Sequence, residues 1–129
     1  MSQFAIVIVR GSGDVGSAVA HALFMRGVNV VLHDEPMPSH PRRGMAFADA
    51  LFDGQSVLSG VRARRVLDLE EILDVGALSD ELPVTDAPFT ALLKLYEPDV
   101  LIDARMRKRS IPEDQRQLAP TAIGLGPGF

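Results

Sequence analysis

Between Phe4 and Asp34 the chain holds a strand, a glycine loop, a helix and a second strand, and no other segment constrains the fold as strongly. Phe4-Ala5-Ile6-Val7-Ile8-Val9 is a continuous apolar run closed by Arg10, without the alternation of a half-exposed strand. A run of this kind reads as a parallel strand buried on both faces, here Phe4 to Arg10. Gly11-Ser12-Gly13-Asp14-Val15-Gly16 follows at once. Val15, Ala18, Val19, Ala22 and Leu23 then recur at helical spacing up to Arg26, and Gly27 is placed to end the helix. Val28 to His33 is a second apolar strand, closed by Asp34. Strand, helix and strand of this size make a βαβ unit.

The loop chemistry gives each glycine its own reason. Gly11 permits the tight turn, Gly13 lets a pyrophosphate approach the backbone, and Gly16 lets the helix pack on the strand. Loop N–H groups and the positive end of the helix dipole suit a phosphate. GxGxxG alone is a weak signal. Its strand-to-helix context and Asp34, twenty-one residues after Gly13, strengthen it. Asp34 would accept hydrogen bonds from a ribose diol, which favours NAD over NADP. Ser12, Asp14 and Val15 complete the candidate loop, although Asp14 reads first as a charge that stabilises the helix start. The competing readings are a plain turn without a ligand and a solvated acid at Asp34.

The remainder of the chain fits an α/β domain with three layers, a mostly parallel sheet and a small hairpin insertion. Asp34 to Pro41 is proline-rich and continues neither element. A helix is expected over Arg42 to Phe52, a turn at Asp53-Gly54, and a hairpin from Val57-Leu58 through Ser59-Gly60 to Val61–Val66. Asp68-Leu69-Glu70-Glu71 has capping-box spacing and opens a short helix ending near Gly76. Leu82–Thr85 reads as a short strand, Asp86 as the cap of a helix through Tyr96, and Val100–Asp103 as a strand. Ser110-Ile111-Pro112-Glu113 opens a helix to about Leu118, and Thr121–Leu125 is the last strand.

At 129 residues, with 47% apolar content, the chain suits one domain, residues 1–129. The glycine-rich ending after a strand suggests a piece of a longer protein. A net charge of -4 and pI near 5.3 argue against a nucleic-acid binder. With no cysteine, disulfides, thiolate metal sites and cysteine nucleophiles are excluded. The first apolar run lacks a basic leader, and no stretch approaches the roughly 20 apolar residues of a membrane span, so a cytoplasmic protein with no membrane partner is expected. An uncovered last strand predicts a homodimer, or burial of this edge by the rest of a longer protein.

Other candidates lie at strand ends. Arg42 and Arg43 follow the second strand's loop, where arginines can meet a 2′-phosphate or another anion; solvated positions are the even alternative. Arg105, Arg107, Lys108 and Arg109 put four cations in five residues beyond Asp103. In open α/β sheets ligands gather at the carboxyl ends of strands, so this run is either an anion contact or a solvated charge cluster. Asp103 is either a ligand contact or a cap of the next loop. Gly124, Gly126 and Gly128 expose backbone at the last strand's end. His21, His33 and His40 have no metal-ligand spacing, and no GxSxG elbow supports a serine hydrolase.

Four stretches together resemble the selenium-dependent molybdenum hydroxylase system proteins, similar to the Rossmann part of the xanthine dehydrogenase accessory family. They are Val9-Arg10-Gly11-Ser12-Gly13-Asp14; Arg42-Arg43 with Ala46-Phe47-Ala48-Asp49-Ala50 and Asp53-Gly54; Pro98-Asp99-Val100-Leu101-Ile102-Asp103-Ala104; and Ile123-Gly124-Leu125-Gly126-Pro127-Gly128-Phe129. The arginine pair and the glycine-rich ending are the more specific parts. The resemblance implies a maturation role, handling molybdenum cofactor or the sulfur or selenium ligand of its metal, with a client molybdenum hydroxylase or its maturation proteins as partners. Two alternatives stand beside it: the cofactor-binding part of an NAD-dependent oxidoreductase, and a nucleotide sensor without chemistry. No proton donor set faces the loop, so no catalytic turnover is expected of these residues alone.

Overall fold

Apolar strands without alternation need cover on both faces, and this chain supplies it with helices above and below one sheet. The computed structural model describes residues 6–35, 46–72, 75, 80–105 and 118–125. The strands are β1 (Ile6–Arg10), β2 (Asn29–His33), β3 (Gln55–Leu58), β4 (Val61–Arg65), β5 (Leu82–Thr85), β6 (Val100–Asp103) and β7 (Thr121–Gly124). The helices are α1 (Asp14–Met25), α2 (Asp49–Asp53) and α3 (Phe89–Leu95), with a 3₁₀ turn at Leu69–Glu71.

The seven strands lie in the order β3-β4-β5-β2-β1-β6-β7. All neighbours are parallel except β3 and β4, the expected hairpin. The result is a Rossmann-like three-layer α/β fold. β1 sits near the centre, paired to β2 on one side and β6 on the other.

Each central strand feeds both layers. Val7, Val9, Val30, Leu32 and Ile102 pack with Ala20 of α1 and Phe47, Ala50 and Leu51. Ile8, Val31 and Leu101 pack with Ile72, Val75 and Leu92 on the other face. Val9, Leu32 and Ile8 are wholly buried, as the unbroken apolar runs require.

Four local expectations change. In α1 the buried stripe is Gly16, Ser17 and Ala20; of the expected face Val19 and Leu23 pack on the core, while Val15, Ala18 and Ala22 are exposed. Small residues win that face because the helix lies too close to the β1 turn for larger ones. The helix expected over Arg42 to Phe52 is, among the described residues, only Asp49–Asp53. Ala46, Phe47 and Ala48 are buried in a turn, and the amides of Phe47 and Ala48 bond to Ser17 and Ser12 instead of to a preceding helical turn. Asp86 does not cap α3: the N-cap is Pro88, and Asp86 grips Arg65 through Nε (3.2 Å) and Nη2 (2.7 Å). Asp68 does cap its turn, accepting from Glu70 N–H at 3.0 Å; that first turn is 3₁₀, while Ile72 and Val75 beyond it are α-helical as expected. The helix expected from Ser110 lies outside the described residues.

Candidate functional site at the carboxyl edge of the sheet

Parallel strands bring their carboxyl ends to one edge, and here the strand register does so residue by residue. Thr85, His33, Arg10, Asp103 and Gly124 form one row across β5, β2, β1, β6 and β7. The loops after β1 and β6 meet just beyond this row: a Cβ on Gly11 would lie 2.9 Å from the Ala104 carbonyl oxygen. Gly11 also has φ +102°, a conformation that favours glycine.

The three loop glycines divide by role. A Cβ on Gly16 would stand 1.7 Å from the Gly11 carbonyl oxygen, so the fold itself forbids a side chain there. Gly13 is different. Its φ is -73°, it is the N-cap of α1, and a Cβ there would meet nothing within 4 Å. Nothing in the described structure demands glycine at 13. The space beside it opens on the start of a twelve-residue helix whose first turn has no side-chain cap from the N-cap residue.

Ser12 is the loop's anchor and is wholly buried. Its N–H and Oγ–H both donate to Asp34 Oδ2, at 2.8 and 2.6 Å. Its carbonyl accepts from Ser17 Oγ (2.9 Å) and from Ala48 N–H (3.1 Å). Asp34 also accepts from Glu35 N–H at Oδ1. Of about four acceptor positions on a carboxylate, three are thus used among the described residues, leaving one on Oδ1. Asp34 can therefore meet one ribose hydroxyl rather than chelate a diol.

The opposite face of the same edge carries a buried polar group. Arg10, His33 and Asp103 are each at least 94% buried. The Arg10 guanidinium lies 3.6 Å from the Phe89 ring centroid, and the His33 ring tilts against the same phenylalanine at 5.3 Å. His33 Nε2 donates to the Ala87 carbonyl at 2.7 Å, which fixes the protonated nitrogen of the neutral ring. Burial pushes the His33 pKa below its ordinary 6.5; the Ala87 bond opposes this, and the Arg10 charge adds to it. Asp103 accepts from Arg105 N–H (3.1 Å) and Nε (2.8 Å), and its Oδ2 meets Arg105 Nη2. Asp103 thus caps its own loop and engages Arg105.

Sequence reasoning named Gly11, Ser12, Gly13, Gly16, Asp34, Asp103 and Gly124, and the structure brings them to one edge. Asp14 and Val15 open α1 and are exposed. Arg42, Arg43, Arg107, Lys108, Arg109, Gly126 and Gly128 lie outside the described residues. Missed were Arg10, His33, Ser17 and the Phe47–Ala48 turn. A signal existed for the first two: each is the polar residue that closes an apolar strand, directly before Gly11 and Asp34. Ser17 had none.

Against known proteins, no family model matches the chain. It is 34% identical over 124 residues to the uncharacterized protein YqeB of Escherichia coli (strain K12). That match covers 96% of this chain and 23% of YqeB, so the chain spans less than a quarter of that relative's length. No solved structure matches. Among the described residues, no helix is long and apolar enough to cross a membrane, and no group of three or more His, Asp or Glu could hold a metal ion.

Proposed function

We propose that this domain binds a nucleotide at the glycine loop and serves, as an accessory unit, in the maturation of a molybdenum hydroxylase in the cytoplasm. The observation that carries the nucleotide half is Gly13. The fold needs glycine at 11 and 16 but not at 13, and the room left there faces the start of α1. A pyrophosphate uses such room, because its oxygens approach loop N–H groups that a side chain would screen. Asp34, with one acceptor position left on Oδ1, suits a ribose hydroxyl and repels a 2′-phosphate, so NAD is the favoured nucleotide. A bound dinucleotide would supply its own redox chemistry; these residues supply only binding and orientation.

The maturation half rests on the resemblance at Arg42-Arg43, Asp103-Ala104 and Gly124 to Gly128. Molybdenum cofactor would be cargo, held where the loops after β1, β6 and β7 share an edge. A homodimer through β7 belongs to the same reading: β7 is an edge strand with Thr121 and Ile123 exposed.

Titration calorimetry with NAD, NADP and ADP tests the first half: NAD is expected to bind, NADP more weakly. No heat with any of the three overturns it. Equilibrium binding of purified molybdenum cofactor to the chain tests the second half, and its absence at saturating nucleotide overturns that. Light scattering that finds a monomer at high concentration removes the dimer.

A further inference from the structure

Ser17 lies inside α1, is 1% exposed, and touches no space open to a ligand. Its hydroxyl nevertheless joins three segments. It donates to the Ser12 carbonyl at 2.9 Å and accepts from Phe47 N–H at 2.8 Å, while Ala48 N–H reaches the same Ser12 carbonyl at 3.1 Å. The Ser12 carbonyl and the Gly13 N–H belong to one planar trans peptide, so they point in opposite directions. Two donors inside the protein hold that carbonyl inward. The Gly13 N–H then points away from that inward contact, at a residue where an added Cβ would meet nothing within 4 Å. At its other end Ser12 is held by Asp34, so the plane has little freedom to rotate.

We infer that Ser17 is a positioning residue for the proposed nucleotide site, its hydroxyl aiming the Gly13 amide at the pyrophosphate. This inference rests on the nucleotide reading above. Without the hydroxyl the Ser12 carbonyl keeps only the Ala48 bond, and the Phe47 amide loses its acceptor. The peptide plane can then rotate, and the donor arrives at the phosphate already aligned in fewer molecules. Preorganisation of this kind acts on affinity without any contact between Ser17 and the ligand.

Two variants test it in the 129-residue chain: Ser17→Ala, and Ser17→Cys, which keeps nearly the volume but is a weak hydrogen-bond partner. NAD affinity is read by calorimetry, and the Gly13 amide resonance by NMR, with amides of β4 and β5 as an internal control. The expected result is NAD affinity about tenfold lower in both variants, the loss of about one net hydrogen bond. The Gly13 signal should broaden or split while the control amides stay in place. A purely structural serine would lower stability without that local signature. Affinity within twofold of wild type in either folded variant overturns the inference and leaves the nucleotide reading intact. No NAD binding by the wild-type chain overturns both.

Discussion

Among the described turns that rest on a glycine with positive φ, those at β3–β4 and β1–α1 work in opposite ways. At the β3–β4 turn Ser59 (φ 46°) and Gly60 (φ 81°) join Leu58 to Val61, the two-residue geometry whose twist suits a hairpin. A Cβ on Gly60 would meet nothing. That turn is set by its own backbone, with an exposed contact from outside, His21 Nε2 to the Ser59 carbonyl at 3.2 Å. At the β1–α1 turn Gly11 (φ 102°) is hemmed in by Ala104 and Arg105, and Gly16 touches the Gly11 carbonyl. The Gly11 amide is held by the His33 carbonyl at 2.7 Å, and Ser12 by four hydrogen bonds to three separate segments. One turn is local, the other tertiary. A turn that distant parts of the chain hold rigid can present backbone donors in fixed directions, and that is the property a ligand site needs.

The contrast breaks most sharply at Gly16. Gly16→Ala places a Cβ against backbone that cannot move aside, and is expected to cost more than about 3 kcal/mol or to prevent folding. Urea denaturation measures it; a loss below about 1 kcal/mol would mean the helix can slide away from the loop. Gly13→Val, three residues earlier, should leave stability within about 1 kcal/mol, since its surroundings are open. The same variant should abolish NAD binding, and unchanged affinity would return the loop to a plain structural turn. Gly60→Ala should cost only about 1 kcal/mol, the strain of a left-handed alanine, with nucleotide affinity untouched.

The smallest effect concerns His33, whose carbonyl holds Gly11. Its folded pKa lies below 6.5, so as pH falls below that value the unfolded chain takes up a proton that the native ring refuses. Stability therefore declines with falling pH until native His33 is itself protonated. Arg10, Asp34 and Glu35 act on the ring over the same range. Comparing wild type with His33→Gln in urea at pH 7.5 and 5.5 isolates its share: the wild type should lose more stability than the variant. Equal losses would mean the ring stays solvated.

Much of this was legible beforehand. β1, α1 and β2, the hairpin, and the strands at Leu82–Thr85 and Val100–Asp103 lie where the apolar runs and turn residues put them. Local signals failed where a distant partner outbid them. Asp86 had a capping position available but sits beside Arg65 instead. Ala46 to Ala48 had helical composition, yet the Phe47 amide donates to Ser17 Oγ and the Ala48 amide to the Ser12 carbonyl. The apolar spacing of α1 pointed to Val15, Ala18, Val19, Ala22 and Leu23; Val19 and Leu23 do pack on the core, but the approach to Gly11 put Gly16 and Ser17 in the most buried places. At the candidate site, the residues named in advance were those with a local motif; Arg10 and His33 carried only the signal of a polar residue closing an apolar strand, and Ser17 emerged only from packing.

The sequence by itself determined that two buried parallel strands flank a glycine loop with an acid at the far end. Unbroken apolar runs, helical spacing and glycines are properties of neighbouring residues, and neighbours suffice to specify them. Only the tertiary structure decided strand order, which put β6 beside β1 and so set Asp103 next to Arg10. It alone separated the glycine that the site uses from the two that the fold requires. That distinction depends on atoms contributed by Ala104 and by the loop's own carbonyl, and no spacing along the chain encodes how closely they approach.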